Sequence, residues 1–235
     1  MALGVAMITK YEIVQAARLS KDIYDGSLPN ARNFDVDGIQ GCLYLINGVA
    51  WIVFRGTDEP SDWMINLDSK MTYTRFGAIH YGFDVALEKV INKIKVPFRV
   101  TEIIVTGHSL GGALAALYAS RQMGLYPTIK LITFGQPRVG NHEFCTKMSV
   151  IDYIRVVNSG DAATKMFTYI SGFRHAGKEI WFTQEGSVKV PSFWDRLAET
   201  AKSFVANWKK FNSAFLANHD KNRYLTNCIS MSDFP

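Results

Sequence analysis

The residues most able to do chemistry stand at Gly107-His108-Ser109-Leu110-Gly111, a serine between two glycines in the pattern G-x-S-x-G. The pentapeptide alone recurs by chance, so its surroundings carry the weight. Residues 100–106 before it read as a buried strand, and residues 110–123 after it read as a helix of small residues. A strand-to-helix turn this tight forces the serine into a strained backbone. Gly107 and Gly111 are needed because side chains there would meet neighbouring backbone. The turn lifts the Ser109 hydroxyl to the carboxyl edge of the sheet, beside a helix N-terminus whose N–H groups favour negative charge. The bland alternative is a turn serine in a glycine-rich loop.

A serine hydroxyl needs a base to take its proton and an acid to orient the base. On such a turn the chain order is Ser, then Asp or Glu, then His. Five histidines compete for the base. His108 lies inside the turn and points away from the Ser109 hydroxyl. His80 and His142 fall outside the order or too early along the sheet. His175 and His219 remain. Asp161 closes the loop Asn158-Ser159-Gly160-Asp161 after a strand predicted at 153–158, on the edge where open α/β sheets bind ligands. His219 follows the last long helical pattern. His175 comes soon after Asp161 and directly precedes a strand, which suits a structural histidine better. His219 is therefore the first choice for the base and His175 the second.

Acyl transfer also needs donors for the oxyanion, each worth about 3–4 kcal/mol of barrier. The backbone N–H of Leu110 is one. Thr57, in Phe54-Arg55-Gly56-Thr57 at the end of a strand, offers an N–H and a hydroxyl as the other; its alternative role is a simple turn residue.

Holding these groups together takes an α/β sheet. Thr9 and Glu12 form a capping-box pattern opening a helix with Ile13, Ala16, Ala17, Leu19 and Ile23 on its apolar face. Strands at 39–46 and 49–54 are joined by the hairpin dipeptide Asn47-Gly48. A helix is predicted over 83–94, the small-residue helix at 110–123 is closed by Gly124, and further strands lie at 131–135, 153–158 and 179–183. This alternation predicts a mostly parallel sheet flanked by helices, in one domain over 1–235. Residues 193–216 carry Trp194, Leu197, Ala201, Phe204, Trp208, Phe211 and Phe215 at helical steps, with Ser192 and Asp195 as the cap.

The chain has 235 residues, 48% apolar and 20% charged, with a net charge of +5. That excludes a disordered chain. No apolar run reaches the roughly 18 residues that span a bilayer, which excludes an integral membrane protein. The basic residues are scattered, so no nucleic-acid partner is expected. Cys42, Cys145 and Cys228 have no metal-ligand spacing, and a disulfide framework is not expected. No basic region or long apolar stretch opens the chain, so a reducing, cytoplasmic setting is the expectation.

Taken together, the motifs resemble the class 3 lipases, the fungal-lipase-like branch of the α/β-hydrolases. The matching pieces are Phe54-Arg55-Gly56-Thr57, Asp62-Trp63 with Asn66-Leu67, Ile79-His80-Tyr81-Gly82-Phe83, the run from Val105 to Ala115 around Ser109, Thr133-Phe134-Gly135-Gln136-Pro137-Arg138-Val139-Gly140-Asn141, Arg155-Val156-Val157-Asn158 with Asp161, and the block from His175 to Phe182. The 133–141 block is more specific than the serine motif. The resemblance implies the α/β-hydrolase fold. It implies Ser109 as nucleophile, Asp161 as acid, His219 as base, Thr57 with Leu110 as the oxyanion hole, and a structural His175. It also implies hydrolysis of carboxylic esters, often acylglycerols or phospholipids, with no metal or cofactor. Two features depart from the family: Ala162-Ala163 stands where a Val-Pro pair is usual, and Tyr224 follows His219 at a longer distance than is common. The secreted, disulfide-bearing form of the family is not supported.

The expected partner is a lipid or other ester, with contact at a membrane or lipid surface. Activity should fall as His219 takes a proton, near about 6.5. Two segments are candidates for a lid or docking surface: 193–216, whose alternative is a helix packed on its own domain, and 59–76 after the oxyanion strand. The competing functions are an esterase or thioesterase for short or non-lipid acyl groups and an idle lipid-binding member of the fold.

Overall fold

The computed structural model describes residues 7–26, 28–58, 68–167, 171–189, 191–192, 195 and 217–232. The first helix, α1 (Lys10–Asp22), starts at the expected capping box: the Thr9 hydroxyl accepts from the Glu12 N–H at 3.2 Å, and the Thr9 N–H donates to the Glu12 carboxylate at 2.6 Å. Its buried stripe is Ile13, Ala16, Ala17 and Leu19. A 3-10 turn, Ile23–Asp25, follows.

Strands β1 (Arg32–Val36), β2 (Ile39–Ile46) and β3 (Val49–Phe54) form an antiparallel meander. Asn47 and Gly48 both have positive φ, 50° and 82°, the turn that Asn-Gly favours, and Ile46 pairs with Val49. Strands β4 (Met71–Thr74) and β5 (Gly77–His80) make a separate hairpin and lead into α2 (Tyr81–Val90). Then come β6 (Glu102–His108), α3 (Leu110–Gln122), β7 (Thr128–Phe134), α4 (His142–Met148), β8 (Asp152–Asn158), β9 (Lys178–Phe182), β10 (Val188–Lys189) and α5 (Lys221–Ser230). The main sheet runs β1-β2-β3-β6-β7-β8-β9-β10. Its five central strands, β3 to β9 in that order, are parallel, and the edges are antiparallel.

The parallel strands are buried on both faces, which is why they read as unbroken apolar runs. Ile52, Phe54, Ile103, Val105 and Leu131 pack with Phe83, Leu87 and Val90 of α2 and with α3. Trp51, Val53, Ile104, Ile132, Val156 and Phe182 pack with α1 and with Tyr224 and Cys228 of α5. At about 25 cal/mol per Å² of apolar surface, this double-sided burial is the main force assembling the sheet.

The strands and helices expected before residue 193 recur, with shifted ends: β6 runs on to His108, β7 begins at Thr128, and the helix expected over 83–94 ends at Val90 before a 3-10 turn, Ile91–Lys93. Ser192 and Asp195 make the expected cap, the Asp195 N–H donating to the Ser192 hydroxyl at 3.2 Å and the Ser192 hydroxyl donating to the Asp195 carboxylate at 2.6 Å. The rest of the segment 193–216 lies outside the described residues, as do 59–67 of the other lid candidate. Among the described residues, no helix is long and apolar enough to cross a membrane.

Candidate active site

The elbow forms as its residue types require. Phe54 of β3 and Thr133 of β7 flank Gly107 of β6 in register. Ser109, between β6 and α3, has φ 59° and ψ −126°, a strained conformation for a residue with a side chain. A Cβ on Gly107 would collide with the main chain of Gly111, and one on Gly111 with the main chain of Phe54. The Ser109 N–H is held by the Phe134 carbonyl at 2.9 Å, which ties the turn to the end of β7. Leu110 is the first residue of α3, so its N–H is one of the donors a helix cannot satisfy internally.

Asp161 and His219, far apart in the chain, meet in the interior. The His219 Nδ1 lies 3.0 and 2.9 Å from the two carboxylate oxygens of Asp161, and the pair is 2% and 0% exposed. A carboxylate accepts only, so Nδ1 carries the proton and Nε2 carries the lone pair that a general base needs. Asp161 is held in turn. The Tyr224 hydroxyl donates to Oδ2 at 2.6 Å, and the Ala163 N–H donates to Oδ1 at 2.9 Å. Burial, then the charge of Asp161, pushes the Tyr224 phenol well above its ordinary value, so it stays a donor. The Asn158 N–H donates to the same hydroxyl at 3.1 Å, and Asn158 Nδ2 donates to the Asn218 carbonyl at 3.2 Å, fixing the chain just before His219.

The pair and the elbow share one rim. The His108 and His219 rings lie against each other, centroids 4.5 Å apart. Gly135, directly after the residue that holds the Ser109 N–H, sits against the pair: a Cβ there would lie 2.8 Å from Asp161 Oδ2 and 3.0 Å from His219 Nδ1. Ser109 is 1% exposed, and among the described residues its hydroxyl has no hydrogen-bond partner, His219 included. Catalytic bonds of this kind commonly tighten only in the complex with substrate. The loop of Thr57 passes beside the serine, since a Cβ on Gly56 would come 3.3 Å from that of Ser109. Thr57 itself is half-buried.

The other histidines lie elsewhere. His175 donates from Nε2 to the Thr164 carbonyl at 2.6 Å, bracing the chain after Asp161. His80 caps α2, its Nδ1 accepting from the Phe83 N–H at 3.2 Å. His142 opens α4. The sequence reading did not foresee the bond from Tyr224 to Asp161 or that from Asn158 to the chain before His219. The only signal was position: Tyr224 one helical turn into α5, and Asn158 at the end of β8.

A strained serine after a parallel strand, an Asp–His pair beside it and unsatisfied helix donors next to both can carry nucleophilic acyl transfer. The family model for class 3 lipases matches residues 51–170, which takes in Thr57, Ser109, Leu110 and Asp161. The chain belongs to the class 3 lipase family. Among relatives within and around this class 3 lipase family, a lipase of Rhizomucor miehei is 34% identical over 150 residues, 57% of this chain and 41% of that protein. The secreted mono- and diacylglycerol lipase 1 of Fusarium solani is 32% identical over 142 residues, 54% of this chain and 42% of that protein. The chain thus spans about two fifths of the length of these curated relatives. A solved triacylglycerol lipase, whose catalytic centre is described as a serine protease triad, is 25% identical with a TM-score of 0.65, over 76% of this chain and 83% of its own. Lipase II of Rhizopus niveus shares the fold, at a TM-score of 0.61 and 24% identity over 73% of this chain and 78% of its own.

Proposed function

We propose that this class 3 lipase chain hydrolyses carboxylic esters of lipids, with Ser109 as nucleophile, His219 as base and Asp161 as its orienting acid. The observation that carries the reading is the buried Asp161–His219 pair, its imidazole against the ring of His108, which directly precedes a serine with φ 59°. His219 Nε2 takes the Ser109 proton as the oxygen attacks the ester carbonyl carbon. The oxyanion rests on the N–H groups of Leu110 and Thr57. The tetrahedral intermediate collapses, the alcohol leaves with the proton from His219, and the acyl group stays on Ser109. Water then gives a proton to His219 as its oxygen attacks the acyl-enzyme, and His219 passes that proton to the Ser109 oxygen as the acid leaves. Asp161 keeps the imidazole tautomer throughout and steadies the imidazolium.

Ser109 and His219 are 1% and 2% exposed, which supports a substrate that enters as a covering element moves. Movement at a lipid surface is the arrangement that suits a water-insoluble ester, so contact with a lipid interface belongs to this reading. The relatives support the substrate class, since they are named as lipases and an acylglycerol lipase.

The test is a series of nitrophenyl esters from acetate to palmitate, with and without emulsion. The expected result is turnover that rises with acyl length, is higher on emulsified ester and drops at least about a thousandfold in Ser109→Ala with the fold retained. Preference for the shortest esters would give the short-acyl esterase reading instead. Full turnover in Ser109→Ala would end the proposal.

A further inference from the structure

His108, inside the elbow, is used neither as nucleophile nor as base, yet it is 4% exposed and both its ring nitrogens are engaged. Its Nε2 lies 2.7 Å from the carbonyl oxygen of His219. A carbonyl accepts only, so Nε2 is the protonated nitrogen and donates. Nδ1 therefore holds a lone pair and accepts from the Tyr24 hydroxyl at 3.0 Å. The Tyr24 hydroxyl also lies against Gly56, in the loop that carries Thr57. That approach is so close that a Cβ on Gly56 would collide with the hydroxyl. The bonds run in one direction: Tyr24 O–H to His108, and His108 N–H to the main chain of His219.

One phenol thus joins three loops that arrive from different parts of the fold. Burial, then the charge of Asp58, pushes the Tyr24 phenol above its ordinary range, while Arg55 acts the other way. Burial, then His219, holds His108 well below the ordinary histidine value, with Lys221 adding to the effect. Lys221 and Arg55 flank the Tyr24 ring at 4.1 and 5.4 Å. The proton that each bond needs is therefore in place at neutral pH.

We propose that Tyr24 is a positioning residue for ester hydrolysis: through His108 it sets the main chain of His219 in register with Ser109. The proposal rests on the hydrolase reading above. Tyr24→Phe keeps the ring and its packing and removes only the hydroxyl. His108→Gln keeps a donor for the His219 carbonyl but lacks the ring nitrogen that accepts from Tyr24.

The experiment measures kcat and KM on one nitrophenyl ester for both single variants and the double variant, with thermal melts as a check on folding. Tyr24→Phe is expected to lose about tenfold in kcat with KM within about twofold. In the His108→Gln background it should cost less than about twofold, because the path is already cut. Unchanged kcat in Tyr24→Phe, with Ser109→Ala still inactive, would overturn the positioning role and leave the hydrolase reading standing. Losses that multiply in the double variant would show that Tyr24 does not act through His108, and would overturn it as well. A measurement on the unaltered chain needs no activity and no variant: nitrogen NMR of labelled histidines. His108 should show the Nε2–H tautomer from pH 6 to 8; an Nδ1–H tautomer or an imidazolium there would break the chain of bonds and the proposal with it.

Discussion

The Asp161 carboxylate is 0% exposed and takes bonds from His219, Tyr224 and the Ala163 N–H. A buried charge is tolerable only when its oxygens are satisfied. Tyr224→Phe removes one of these donors and leaves the Asn158 N–H without its acceptor. The expected outcome is a loss of about 1–3 kcal/mol in urea unfolding and about tenfold in kcat, with KM unchanged. Unfolding and kinetics identical to the unaltered chain would contradict this account of Asp161. The elbow at Ser109 was legible at this scale because G-x-S-x-G makes a local demand on backbone shape, which neighbouring residues reveal. The bonds from Tyr224 to Asp161 and from Asn158 to the Asn218 carbonyl were not, because they act across the fold and their spacing in the chain carries no pattern.

At the scale of elements, the parallel strands announced themselves as apolar runs, and the hairpin between β2 and β3 as Asn-Gly. Several of the elements missed have burial that is thin or polar. Edge strand β1 has one buried side chain, Phe34, among Arg32, Asn33 and Asp35. Helix α4 has seven residues, and α5 buries Tyr224, Asn227 and Cys228, a stripe without the usual aliphatic signal. The junction after β7 was legible as a motif but not as a contact. Gly135 has φ 57°, and its missing Cβ is the space that His219 and Asp161 occupy. Gly135→Ala should therefore push the imidazole aside and cost about a hundredfold in kcat, while far-ultraviolet circular dichroism stays that of the folded chain. Normal turnover in that variant would mean that the pair does not depend on the end of β7.

For the whole molecule, two buried histidines give stability a pH dependence with a definite sign. Burial lowers the values of both His80 and His108. Below about 6.5 the unfolded chain binds protons that the native chain does not, so stability falls as pH drops, by up to about 1.4 kcal/mol per pH unit for each group. The melting temperature should fall steadily from pH 7 to pH 5, and less steeply in His108→Gln. A flat profile, or an equal slope in that variant, would contradict the buried neutral state of His108. The fold brings four chain segments to one rim of the sheet, and the decisive question is whether the assembled rim reacts. A nitrophenyl phosphonate, which bonds covalently to an activated serine, answers it when the labelled peptide is located by mass spectrometry. The account predicts a single adduct on Ser109, labelling slowed at least about a thousandfold in His219→Ala and little changed in His175→Ala. An adduct elsewhere, undiminished labelling in His219→Ala, or its loss in His175→Ala alone would contradict it.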